Sequence, residues 1–163
     1  LLLRPARPGD LDDLHAILSD VRSMRYWSTP PHAEIGQTAD WLADTMAIPP
    51  EEGEDFVIER EGRVIGKAGL YRFPEIGFIL HPDHWRQGLA REALAAVIHR
   101  AFTVHRLPRI LADVDPDNAA SLALLRGLGF LETGRAERTW LVGGRWCDSV
   151  YLALDAGDRR VGR

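Results

Sequence analysis

The residues with the clearest chemical capacity lie in one run, Trp85-Arg86-Gln87-Gly88-Leu89-Ala90. An apolar stretch precedes it (Ile76, Phe78, Ile79, Leu80) and an Ala/Leu-rich stretch follows it. Small residues at Gly88 and Ala90, between a strand end and a helix start, let backbone N–H groups approach a bulky anion. The helix N-terminus adds donors that lack intrahelical partners and a partial positive charge. The chemistry is that of a phosphate cradle, and its spacing fits neither a Walker A loop nor a dinucleotide-binding turn. Arg86, Gln87 and Arg91 flank the cradle. An arginine there either adds a charge-assisted bond to a phosphate or stays solvated.

Other patterns fail on inspection. Asp113-x-Asp115-x-Asp117 opens like a calcium loop, but Asn118 and Leu124 stand where glycine and glutamate are required. Gly62 to Lys67 is too short for Walker A, and Ala68 follows where Ser or Thr is needed. His81-x-x-His84 contains Pro82 and has no third ligand nearby, so no metal site is expected. Cys147 has no activating partner in sequence and reads as inert.

Two broader features bound the function. Twenty basic against 24 acidic residues give a net charge of −4. That balance argues against a protein whose affinity depends on neutralising nucleic-acid or membrane phosphates. Lys67 is the chain's single lysine among arginines, a bias that reads as base composition rather than phosphate recognition. One cysteine excludes an internal disulfide. Leu1-Leu2-Leu3 runs at once into Arg4 and Pro5, unlike a secretory signal, and no apolar run reaches the roughly 20 residues of a membrane helix. The expected compartment is the cytoplasm.

The elements that must position these residues follow from periodicity. A strand over residues 1–7 stops at Pro8-Gly9, and Asp10 is expected to cap a helix bearing Leu11, Leu14, Ile17, Leu18 and Val21. A second amphipathic helix runs through Ile35, Trp41, Leu42 and Met46. Three strands then form a meander: 56–60, 64–73 after the Glu61-Gly62 turn, and 75–80 after Pro74. Beyond the cradle, Leu89, Ala93, Val97 and Phe102 mark a helix face, and 110–114 is a short strand. Asp117 or Asn118 caps a helix carrying Leu122, Leu125 and Leu128. Residues 131–142 and 146–154 pair around Gly143-Gly144. Residues 155–163 read as a frayed tail. At 163 residues and 45% hydrophobic content, a single domain over 1–163 is expected.

Trp85-x-x-Gly88-x-Ala90 resembles the acyl-coenzyme A pyrophosphate loop of the GNAT superfamily of N-acetyltransferases. Tryptophan in place of the usual Gln or Arg is similar to the branch of ribosomal-protein alanine acetyltransferases (RimJ/RimL-like). Three more stretches resemble that branch, in the same order along the chain. They are Met24-Arg25-Tyr26-Trp27, Asn118-x-x-Ser121 ahead of Leu128-Gly129-Phe130, and Gly144-Arg145-Trp146-x-Asp148. The resemblance implies an α/β (α+β) GNAT fold, with a mixed, mostly antiparallel sheet splayed between the fourth and fifth strands and flanked by helices.

It also implies roles. The pantetheine arm of acetyl-CoA would pair with the strand edge at Phe78-Ile79-Leu80, with the N–H of Ile79 or Leu80 meeting the thioester carbonyl. Arg86, Gln87, Gly88, Leu89, Ala90 and Arg91 would surround the pyrophosphate. Asn118 would lie near the pantetheine amides, unless it is simply a helix cap. Ser121 would lie near the sulfur and assist protonation of the thiolate. The tyrosine that many relatives use for this step has Leu125 at its position. Glu75, opening its strand, is the candidate general base, directly or through water. Tyr26, Trp27, Phe73, Trp140 and Trp146 would wall the acceptor side or fill the core, and Asp148 with Glu75 could attract an ammonium. The implied reaction is direct acetyl transfer to a primary amine, either a small molecule or a protein N-terminus, without a metal. A non-catalytic acyl-CoA sensor is the alternative, and the chain suits a monomer or a homodimer.

Overall fold

The computed structural model describes residues 1–158. In chain order the elements are β1 (Leu2–Arg4), α1 (Leu11–Leu18), α2 (Ile35–Met46), β2 (Glu54–Arg60), β3 (Arg63–Arg72), β4 (Glu75–Leu80), α3 (Leu89–Thr103), β5 (Arg109–Val114), α4 (Ala119–Gly127), β6 (Leu131–Val142) and β7 (Arg145–Asp155). The strands form one sheet in the order β1-β2-β3-β4-β5-β7-β6. Neighbours are antiparallel except for β4 and β5. Turn chemistry sets the hairpins. Glu61-Gly62 and Gly143-Gly144 all have positive φ, the geometry that joins right-twisted strands through two residues.

The parallel pair opens almost as soon as it forms. β4 and β5 register at Glu75↔Leu111 alone, held by the Leu111 N–H bonding the Pro74 carbonyl at 2.9 Å. Beyond that point the strands splay apart.

Each face of the sheet buries its own core. Alternation sends Ile58, Ile65, Ile76, Leu80, Ile110 and Leu152 toward α3 and α4, where they meet Leu94, Val97 and Leu125. The opposite residues Val57, Val64 and Ile79 meet Leu14, Ile17, Leu18 and Leu42 of α1 and α2. Each large aliphatic side chain buried this way contributes about 1.5–3 kcal/mol.

Four expectations are corrected. The strand over residues 1–7 pairs only from Leu2 to Arg4, because Pro5 has no N–H to donate and the Arg7 N–H goes to the Asp10 carboxylate at 2.9 Å. Asp10 occupies the N-cap position of α1, but its side chain makes no cap bond there. It is buried and takes both ends of the Arg4 guanidinium at 2.9 and 2.8 Å, which holds its carboxyl below the usual range. The apolar face of α2 is narrower than its periodicity suggests, since Leu42 is buried while Ile35 and Met46 are exposed. Of the expected tail, Asp155 ends β7 and Ala156–Asp158 form a 3-10 turn anchored by the Ala156 N–H on the Pro108 carbonyl. Residues 159–163 lie outside the described residues. Among the described residues no helix is long and apolar enough to cross a membrane.

Candidate functional site

The site grows from the splay. On the β3 side of β4, the His81 N–H bonds the Ile65 carbonyl at 2.8 Å. Alternation therefore turns the N–H groups of Gly77 and Ile79 toward β3. The even-numbered residues turn the other way, as the engaged carbonyls of Pro74 and Leu80 show. Past Glu75, the N–H groups of Phe78 and Leu80 lie on the open edge. Of the two donors the sequence suggested, Ile79 belongs to the β3 ladder and Leu80 to the cleft.

The strand leads directly to the cradle. The Trp85 indole N–H bonds the Leu80 carbonyl at 2.8 Å, tying the loop to the strand end. Arg86 and Gly88 have φ of 58° and 74°, and Gly88 is the N-cap of α3 without any side-chain cap. The first helical bond runs from the Glu92 N–H to the Gly88 carbonyl. The N–H groups of Leu89, Ala90 and Arg91 precede it and have no helical carbonyl behind them. A Cβ at position 88 would meet nothing within 4 Å, so the cradle opens onto free space. These features fit a bulky polyphosphate.

The flanking polar residues separate. Gln87 is held at both ends, by Arg60 Nη1 at 2.8 Å and the Asp83 carbonyl at 3.2 Å. Arg91 bonds the Gly127 carbonyl at 3.1 Å and so links α3 to the end of α4. Arg86 is exposed beside the cradle. Across the cleft, Asn118 caps α4 by accepting the Ser121 N–H at 3.2 Å. Ser121 is half-buried on the first turn, whereas Leu125 is 0% exposed and points into the core.

Glu75 is 32% exposed by its side chain at the mouth of the splay. Its Oε2 accepts from Tyr71 Oη at 2.8 Å and from Arg72 Nη2 at 2.7 Å. Both bonds fall on one oxygen, which leaves Oε1 without a partner among the described residues. Burial, and after it the bond to Glu75, push the Tyr71 phenol well above its usual range, so it remains a donor.

The aromatic residues divide between the two faces. Trp27 packs beside the α1/α2 core. Trp140 donates its indole N–H to Asp113 Oδ2 at 3.0 Å, and Asp113 alternates with the Ala112 and Val114 side chains of the α3-side core. Trp27, Tyr71, Glu75, Asp113 and Trp140 thus share the α1/α2 face. Phe73 instead lies against His105, with ring centroids 4.7 Å apart and the planes tilted by 46°, and packs against the α3-side core. Trp146 and Asp148 share the parity of Val150 and Leu152, on the α3/α4 face. There Asp148 accepts the Arg138 N–H at 2.9 Å and the Arg138 guanidinium covers Trp146. Tyr26 lies under the Arg25 guanidinium, 5.2 Å from its ring centroid.

Sequence reasoning missed Tyr71, Lys67, Asp55 and Asp113. Lys67 is the informative one. It interrupts a buried run from Val64 to Leu70, and a lone charge in such a run signals a buried partner. That partner is Asp55, at 2.7 Å. Among the described residues no group of three or more His, Cys, Asp or Glu could hold a metal ion.

Comparison with known proteins agrees with this geometry. Residues 1–131 match the family model described as the acetyltransferase (GNAT) domain. The spermidine N(1)-acetyltransferase of Escherichia coli is 27% identical over 158 residues, covering 93% of this chain and 84% of that one. The ribosomal protein uS5-alanine N-acetyltransferase of the same organism is 32% identical over 114 residues, covering 70% and 58%. Among solved structures, Mycobacterium smegmatis RimJ in complex with CoA-disulfide has a TM-score of 0.84 at 26% identity, over 97% of this chain and 83% of that one. With the splayed sheet, the open cradle and a family match over most of its length, this chain belongs to the GNAT family of N-acetyltransferases.

Proposed function

We propose that the chain transfers an acetyl group from acetyl-CoA to a primary amine by direct attack, without a covalent enzyme intermediate. One observation carries this reading. The open edge of β4 runs unbroken from a Glu75 carboxylate oxygen that has no partner among the described residues to the uncapped start of α3. Acetyl-CoA supplies the thioester. The N–H groups of Phe78 and Leu80 are the donors available to the pantetheine amides and the thioester oxygen, where a positioned donor stabilises developing negative charge. The α3 N-terminus takes the pyrophosphate, with the Arg86 guanidinium exposed beside it. Glu75 Oε1 removes a proton from the attacking ammonium, directly or through one water. Ser121 hydrogen-bonds the departing thiolate. Asn118 keeps its Oδ1 on the helix and has its amide NH2 to offer the pantetheine.

The acceptor is a primary amine, from a small molecule or a protein N-terminus. Relatives named for spermidine and for ribosomal protein uS5 alanine span both classes. The experiment is an amine panel with acetyl-CoA, following release of free thiol. It includes spermidine and peptides beginning with Ala, Ser and Met. Acetyl-CoA binding at micromolar concentrations and turnover of one panel amine are expected. Glu75→Gln is expected to lower kcat by about 10²-fold, within the range for a positioned base. Failure to bind acetyl-CoA would sink the reading.

One observation favours a second reading, an acyl-CoA sensor. Leu125 is buried, so α4 offers no phenol to the leaving thiolate. Binding without turnover of any panel amine would select it.

A further inference from the structure

Glu75 receives its hydroxyl donor from β3, and that donor is itself supported from beneath. Lys67 and Asp55 are 4% and 3% exposed by side chain, paired at 2.7 Å on the α1/α2 face. The Lys67 ammonium lies between two aromatic rings, 5.7 Å from the centroid of Trp27 and 5.6 Å from that of Tyr71. Such cation–ring contacts strengthen where water is excluded. The Tyr71 ring rests directly on the β4 backbone because residue 77 is glycine. A Cβ there would lie 3.0 and 3.2 Å from Tyr71 Cδ1 and Cε1, and 3.7 Å from Lys67 Nζ. From this seat the Tyr71 hydroxyl reaches Glu75 Oε2. A compact ammonium suits the site, where a planar guanidinium is wider and its donors point in a fixed fork. The one lysine of the chain stands here.

We propose that Asp55, Lys67 and Tyr71 form a positioning chain for the reaction: the buried ion pair fixes the Tyr71 ring over Gly77, and Tyr71 fixes the Glu75 carboxylate with Oε1 toward the cleft. The inference rests on Glu75 acting as the base. Tyr71 and Lys67 act through Glu75 and do not themselves exchange protons with the amine. Asp55 neutralises the lysine, which allows the cation to sit in the core beside apolar Val57 and Ile79. Removing Lys67 alone would leave a buried carboxylate without its counter-charge, so the pair is best replaced together.

The test is steady-state kinetics with acetyl-CoA and the panel amine turned over fastest, with spermidine and the alanine-initiated peptide as the defined probes. Tyr71→Phe and the double variant Asp55→Asn/Lys67→Met are each expected to lower kcat by about tenfold, leaving KM for acetyl-CoA within about twofold. The triple variant is expected to fall no further than the worse of the two, because members of one chain are not additive. Gly77→Ala, which displaces the ring without changing any charge, is expected to lower kcat in the same way. Wild-type kcat in Tyr71→Phe, or in a double variant that melts cooperatively, would overturn the proposal, as would losses that multiply in the triple. If the double variant does not fold, wild-type kcat in Gly77→Ala overturns it equally. Glu75→Gln separates the two levels. If it keeps full turnover, the base reading fails and the chain's role with it. If it loses turnover while Tyr71→Phe and Gly77→Ala keep theirs, only the positioning chain fails.

Discussion

Two helices start on the same side of the sheet, a few residues beyond neighbouring strand ends, and they finish their N-termini in opposite ways. α4 closes its own. Asn118 takes the Ser121 N–H on its side chain, a contact worth about 1 kcal/mol. α3 leaves its terminus open, with Gly88 in the left-handed region and no side chain to accept anything. Both termini carry the same dipole and the same surplus of donors. Capping decides which of them is available. Glycine at an N-cap costs only a few tenths of a kcal/mol relative to Asn or Ser, so α3 keeps its donors free at almost no expense in stability. The open terminus is also the one that the β4 edge leads into.

The comparison breaks most sharply at Gly88. Valine there has room in the protein, since nothing lies within 4 Å of the Cβ position. It would still suffer twice. A β-branched residue at φ near 74° is strained by about 1–3 kcal/mol, and its methyl groups would stand over the donors. Calorimetric titration of Gly88→Val with acetyl-CoA is expected to show about 100-fold weaker binding, or about 2.7 kcal/mol. Undiminished affinity would mean that the open terminus is not the phosphate site.

Asn118→Ala is the reciprocal change, with a smaller expected effect of a different kind. Loss of the cap should lower stability by about 1 kcal/mol in chemical denaturation. The Ser121 N–H is then released, so acetyl-CoA affinity should change less than tenfold. A loss of affinity matching that of Gly88→Val would make α4 the phosphate-binding helix and reverse the comparison.

How far these features were legible depends on whether they are local in sequence. The cradle is legible because six consecutive residues encode it. Small residues before a helix are common, and the cradle gains its weight from the strand, helix and hairpin order around it, which follows from periodicity and turn residues. Glu75 is legible for the same reason, as the first residue after a strand-breaking proline. The support behind Glu75 is not local. Asp55, Lys67, Tyr71 and Gly77 lie on three strands and meet only through the β2–β3–β4 register.

The aromatic wall misleads for a related reason. Trp140 pairs with Cys147 while Leu141 pairs with Trp146, after register shifts in the β6–β7 ladder at 132/134 and 136/140. The two tryptophans therefore face opposite sides of the sheet, because three unshifted pairs separate them from the Gly143-Gly144 turn, whereas the shifts move only the part of β6 before Trp140. Asp10 shows the same limit at the other end of the chain. Its position in sequence says helix cap, and the Arg4 side chain six residues earlier claims it instead.

The finest test concerns how the open terminus is held against the strand that feeds it. The Trp85 indole N–H occupies the Leu80 carbonyl, the last one on the exposed edge of β4. That bond sets the distance between the donors of the strand and those of the helix. Trp85→Phe keeps most of the ring and removes the N–H. Trp85 is exposed, so water can reach the vacated position, and the net loss is that of one neutral hydrogen bond, about 0.5–1 kcal/mol. Acetyl-CoA affinity should fall about two- to fivefold, and the melting temperature should drop by about 1–4 °C. Equal affinity would show that α3 packing alone places the cradle. A loss above tenfold would show that the indole, more than the glycine, determines where the open terminus points.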